Sequence, residues 1–213
     1  MRPSLVLDIE TVPDDPFYRQ VHPEAQGGEN TSEGRGLHKP LFHQVVAISV
    51  CYLGPDGGVE QLKALAPGED EVVLLRHFWE GLARLAQVSP PRLITFNGRR
   101  FDLPVLVQRA LLHGVAPTPY WQGEYRQRYR DNHLDLMDFL SDYGASTPLS
   151  QHELASLLGV PGKIGPSGED VLPMWNAGHK DEIAAYCTLD VATLTLCFGR
   201  LGTFAGWTTA EET

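Results

Sequence analysis

Four carboxylates and one phenol stand at spacings that could build a metal centre. Asp8 and Glu10 lie two residues apart, at the end of a β-branched and leucine-rich run over Ser4–Asp8 that reads as a buried strand. In a strand, residues i and i+2 share a face, so both acids aim at one point. Carboxylates held that close repel each other unless something positive neutralises them, and a hard divalent cation with oxygen ligands does this. The segment Asn97-Gly98-Arg99-Arg100-Phe101-Asp102 follows a strand read at Arg92–Phe96 and opens a helix, where α/β proteins place ligands. Tyr186 and Asp190 are four residues apart on a third segment read as helix, so phenol and carboxylate point the same way. A phenol with a pKa of about 10 is a poor base near neutral pH, so holding a water is its expected part. Singly, each segment has a bland reading: solvated edge acids, a helix cap at Asp102, an accidental pair on a surface helix. Their order along the chain, each at the edge of an element, favours the chemical one.

The elements that must position these groups are legible as periodicities. Gln44–Leu53 reads as a second strand, paired through the Gly54-Pro55-Asp56-Gly57-Gly58 turn with Val59–Leu65. Glu69–Ala86 is an amphipathic pattern with Val72, Leu75, Phe78, Leu82 and Leu85 on one stripe, and Leu103–Leu112 a helix with Pro104 near its first turn. His133–Leu136 is a last strand running into a helix. Ser150 and Glu153 form a capping box closed by Gly159 and Pro161, and His179–Leu201 is a long helix. Five strands interleaved with helices predict an α/β domain with a mixed sheet. The stretch 13–43, with glycines at 27, 28, 34 and 36, reads as a long loop of the functional or mobile kind.

Composition narrows the class. At 213 residues and 42% hydrophobic, the chain suits one domain with a real core, and no apolar run reads as long enough to span a bilayer. No secretory apolar region opens it, and three cysteines cannot make a disulfide framework, so the expectation is a cytoplasmic protein with no membrane partner. The net charge of −10 argues against a non-specific nucleic-acid coat. Residues 99–130, however, carry six arginines against two acids, a cationic stretch where a polyanion could dock. No P-loop, nucleophile elbow or HExxH pattern is present.

Asp8-Ile9-Glu10-Thr11, Asn97-Gly98-x-x-Phe101-Asp102 and Tyr186-x-x-x-Asp190 resemble the three motifs of DEDD-superfamily exonucleases in their DEDDy branch. The likeness is to predicted 3'–5' exonucleases related to the proofreading domain of family-B DNA polymerases. It extends to His133-Leu134-Asp135-Leu136 and Gly162-Lys163, and so covers most of the chain. A DEDDh member carries a histidine five residues before the last aspartate, where Ala185 stands here. The resemblance implies a ribonuclease H-like fold with a central five-stranded sheet, and a single exonuclease domain over 1–213. It also implies hydrolysis with two Mg²⁺ or Mn²⁺ ions per site, releasing 5'-mononucleotides from the 3' end of single-stranded DNA. Asp8, Glu10, Asp102 and Asp190 would be the metal ligands, with Tyr186 orienting the nucleophile. A polymerase or repair partner follows from the same likeness.

Thr11, Asn97 and Phe101 belong to those motifs and are expected to meet substrate. Arg126 and Arg128, interleaved with Tyr125 and Tyr129, supply the charge and aromatic faces that single strands use. Their alternative is a solvated loop with some aromatics buried. Lys163, in a Gly-rich loop, is expected to contact phosphate. Asp135 stands as an auxiliary near the centre. Two other functions stay open: the same chemistry on RNA, as in ribonuclease D-like proteins, and an idle nucleic-acid-binding module.

Overall fold

The computed structural model describes residues 2–23, 39–162 and 168–207. Lys163 and positions 24–38 of the long 13–43 stretch lie outside them. Five strands form one sheet in the order β3-β2-β1-β4-β5, with β1 Ser4–Pro13, β2 His43–Leu53, β3 Val59–Ala64, β4 Arg92–Thr95 and β5 His133–Asp135. β1 is antiparallel to β2 and parallel to β4, β2 is antiparallel to β3, and β4 is parallel to β5. The expected mixed sheet is therefore present.

Alternation along β1 explains its central place. Leu5, Leu7 and Ile9 point into one apolar layer with α2 (Glu71–Val88) and α3 (Asp102–Leu112). Val6 points the other way, against Val191, Leu194 and Cys197 of α8 (Lys180–Phe204). A strand buried on both faces is nearly continuous in apolar residues, which is why its sequence signal is strong. β1 runs five residues further than its apolar pattern predicts. β2 continues to pair with it as far as Pro13 opposite His43, while β4 pairs only with Ser4–Val6. Asp8 and Glu10 thus project from inside a strand, just where its neighbour β4 has turned away.

Part of the 13–43 stretch is ordered structure rather than loop. Asp14 caps α1 (Asp15–Val21) by accepting from the Phe17 N–H at 3.0 Å, and a 3₁₀ turn at Pro40–Phe42 leads into β2. A buried ion cluster holds both ends. Arg109 donates to Glu71 through Nε at 2.8 Å and Nη2 at 2.6 Å, meets Asp14 at 2.8 Å, and donates to the Leu41 carbonyl at 3.0 Å. Glu71 also accepts from the Val45 N–H at 2.8 Å and contacts His113 at 2.7 Å. The partners come from four segments, so the chain leaving β1 and the chain entering β2 are fastened to the α2–α3 layer. Tyr18 stacks edge-on against Phe42 at 5.0 Å above the cluster.

The remaining helices are α4 Thr118–Gln122, α5 Leu136–Leu140, α6 Gln151–Leu158 and α7 Val171–Asn176. α6 carries the predicted capping box, and Gly159 ends it at φ 65°, a left-handed turn that favours glycine. α4 and α7 are too short to leave a periodic trace. By length and hydropathy α8 could cross a bilayer, which the apolar runs do not suggest. It carries buried side chains against β1, β2 and α6.

Candidate active site

Asp8 and Glu10 stand on β1 beyond its last pair with β4, Val6 with Ile94, and Asp102 follows the turn that leaves β4. A register shift between Glu10 and Thr11 bends β1 just after its acids and re-aims the residues that follow. Thr11 Oγ1 then meets His43 Nδ1 at 3.1 Å, and the His43 ring packs edge-on against Phe101 at 4.9 Å. Thr11 and Phe101, predicted separately, are joined through a histidine that the sequence does not single out. Only tertiary pairing brings His43 there.

After β4 the chain makes a tight turn, with Asn97 at φ 61° and Asn97 O accepting from the N–H groups of Arg100 and Phe101, each at 3.1 Å. A Cβ on Gly98 would lie 2.5 Å from Thr95 Cβ, and Thr95 is itself bonded to His133 Nε2 at 2.8 Å. The turn therefore needs glycine for close approach. Asn97 Oδ1 is buried without a hydrogen-bond partner among the described residues. Asp102 opens α3 at 4% exposure. Burial raises its pKa to about 7; its own N–H opposes this, the Asp135 charge adds to it, and the Ile9 N–H also opposes it. That last bond places the Asp102 carboxylate against the backbone between Asp8 and Glu10.

α8 delivers the third motif. Tyr186 and Asp190 are buried, with 2% and 5% exposure, and Tyr186 and Cys187 pack with Val12, Val46 and Ala47. Ser49, paired opposite Asp8, bonds Thr188 at 3.0 Å and so fixes the helix against the sheet. Cys187 Sγ lies 3.4 Å from the Asp8 carbonyl and 3.9 Å from its Oδ2. The thiol and one carboxylate oxygen each of Asp8 and Glu10 fall within 4.8 Å of one another. Burial, then the charges of Asp8 and Glu10, push the thiol well above its ordinary pKa; Asp190 adds to them and a bond to Ser49 opposes. It is thus a neutral donor to Asp8. Asp8 and Glu10 thus close on the Cys187 thiol, while Asp102 lies buried at the start of α3 near the Ile9 amide and Asp190 lies buried one turn beyond Tyr186 on α8. A set of oxygen acids around a protonated thiol, with one acid driven toward neutrality, fits a hard divalent cation.

The predicted arginines lie elsewhere. Arg128 is tied to Asp138 at 3.1 and 2.5 Å and to the Tyr143 carbonyl at 2.9 Å, on the flank of β5. The Arg126 guanidinium stands 5.9 Å over the exposed Trp121 ring. Arg99 Nη2 reaches back to the His133 carbonyl at 3.0 Å. Arg128 and Arg99 find their partners 10 to 34 positions away, beyond the reach of a helix or strand repeat.

A mixed sheet in this order, flanked by helices, is the ribonuclease H-like architecture of polymerase exonuclease domains. The solved structure of the family B DNA polymerase from the hyperthermophilic archaeon Pyrobaculum calidifontis shares it, with a TM-score of 0.63 over 95% of this chain and 24% of that one. The two are 20% identical, so this likeness concerns the fold. The chain belongs to the family of predicted 3'–5' exonucleases related to the exonuclease domain of PolB, whose model matches residues 37–213. It is 32% identical over 105 residues to DNA polymerase 2 of Aeropyrum pernix. It is 36% identical over 72 residues to the catalytic subunit of DNA polymerase epsilon from Saccharomyces cerevisiae. These stretches cover 45% and 31% of this chain but only 13% and 3% of the polymerases.

Proposed function

We propose that this protein is a metal-dependent exonuclease that shortens single-stranded DNA from its 3' end and releases 5'-mononucleotides. The observation that carries the reading is the pair of carboxylates at Asp8 and Glu10, each with an oxygen within 4.8 Å of the Cys187 thiol, with Asp102 and Asp190 buried on the neighbouring helices. These four residues would hold two Mg²⁺ or Mn²⁺ ions, which supply charge neutralisation at the phosphodiester and a more acidic water. Tyr186, on the face of α8 that carries Asp190, orients the attacking water by hydrogen bonding. Asn97, with a buried acceptor lacking a protein partner among the described residues, and Phe101, seated on His43, would receive the terminal nucleotide. Thr11 holds His43 and so acts on that nucleotide indirectly. Arg126 and Arg128 would meet the strand only further along, Arg128 after giving up part of its hold on Asp138. Lys163 is proposed as a phosphate contact from its place in the sequence alone. Work on polymerase-made or damaged ends, alone or beside a polymerase, suits the same chemistry.

Digestion of 5'-labelled DNA and RNA oligonucleotides, side by side with Mg²⁺ or Mn²⁺, tests the reading. The expected result is a ladder of DNA products shortening from the 3' end, faster than for RNA, and no products from a folded Asp8→Ala variant. An oligonucleotide that binds but stays intact with either metal would overturn it in favour of an idle binding module.

A further inference from the structure

We propose that Asp135, which lies on β5 and belongs to none of the three motifs, is a positioning residue that delivers Asp102 to the metal centre; this rests on the reading of Asp102 given above. Its side chain is 3% exposed. Its carboxylate accepts four backbone N–H groups: Asn97 at 2.8 Å and Arg99 at 2.9 Å across the turn, and Met137 at 3.1 Å and Asp138 at 3.3 Å at the start of α5. Both oxygens are engaged, Oδ1 by three donors and Oδ2 by the Arg99 amide, so the group is occupied as an acceptor instead of being offered to an ion. That gives the auxiliary acid of the sequence a different task.

The task follows from where the donors sit. Asn97 is held at positive φ and Gly98 is wedged on Thr95, so the turn is a backbone state that its surroundings must impose. Two of its N–H groups, at the first and third residues, are gripped by Asp135. From there the chain passes Leu103 N–H to Gly98 O at 2.9 Å and enters α3 with Asp102 pointing at the Ile9 amide. One carboxylate on β5 thereby sets the angle at which the acid from the β4–α3 turn reaches β1. The Arg99 side chain, bonded to the His133 carbonyl and 3.5 Å from Asp138, ties the same turn to β5 a second time.

Asp135 also caps α5, so a variant must separate the two roles. Serine can cap a helix but is too short to bridge to the turn, which makes Asp135→Ser the informative change. In the metal-free protein, the expected result is native-like protection in α5 and faster hydrogen exchange at the Ile9, Asn97 and Arg99 amides. Mn²⁺ binding measured by calorimetry should weaken roughly 10-fold or more, the usual effect of removing a group that orients a ligand. In the cleavage assay kcat should fall by a similar factor, with KM for the oligonucleotide nearly unchanged. Asp135→Asn, which keeps one acceptor, should fall between. Wild-type Mn²⁺ affinity and an unchanged Ile9 amide in folded Asp135→Ser would overturn the proposal. A wild-type protein that neither binds Mn²⁺ nor cleaves would refute the nuclease reading instead. The exchange rate at Ile9 would then decide the positioning role by itself.

Discussion

Replacing Asp102 with asparagine should make the metal-free protein more stable at pH 8 and leave it nearly unchanged at pH 3. The Asp102 pKa is raised to about 7 in the folded chain, from an ordinary value of 3.8. Between those values the folded protein keeps a proton that the unfolded chain has lost, so folding becomes less favourable as pH rises from about 4 to about 7, and levels off above. The shift spans about three pH units at about 1.36 kcal/mol each, or about 4 kcal/mol at most. Asparagine keeps the shape and the acceptor for Ile9 while removing the charge, and should recover that amount at alkaline pH. His133 works in the opposite direction. Burial, helped by the Arg99 charge, lowers its pKa from 6.5 to about 3, so its stabilising contribution is lost as pH falls below about 6.5. The two slopes oppose each other in the wild-type curve over the acidic range, and subtracting it from the variant curve removes the histidine. Urea unfolding in metal-free buffer, at half-unit steps from pH 3 to 8.5, measures the difference. Parallel curves for the two proteins, or a variant less stable than wild type at pH 8, would refute the reasoning. Added Mn²⁺ should narrow or reverse the order at pH 8, because the ions stabilise the protein with all four carboxylates more than the one with three.

Two further outcomes test how the site is supported. Arg109→Met strands Glu71 in the core and should cost about 3–5 kcal/mol, seen as a lower urea midpoint. The pair Glu71→Leu and Arg109→Met should regain much of that loss, and a double variant as unstable as the single would count against a stranded charge as the cause. Gly98→Ala puts a methyl against the Thr95 side chain, which its bond to His133 keeps from moving aside. It should lower stability by about 1–3 kcal/mol and weaken Mn²⁺ binding, read by thermal melting and calorimetry.

Most of the sheet is legible in the sequence because β1, β2, β4 and the long helices carry strong apolar patterns. The departures have physical causes. The apolar pattern of β1 stops at Asp8, since charge ends it, yet pairing with β2 carries the strand to Pro13. α1 is held by Arg109 and by Phe42, partners far along the chain, so its seven residues show little period of their own. The cationic segment is visible as composition, but the partner that occupies Arg128, Asp138, stands ten residues further on with no pattern joining the two.

Spacing alone puts Asp8 beside Glu10 and Tyr186 above Asp190, because the repeat of a strand and of a helix is a property of the backbone and needs no partner. Packing decides everything that joins those pairs: Asp102 on the Ile9 amide, the Cys187 thiol on Asp8, Asp135 on the turn and Arg109 in its cage of acids. Each such contact links residues many positions apart, and in a dense, weakly polarisable interior its strength depends on distance and burial. Neither quantity exists until the sheet and its helices have closed around it.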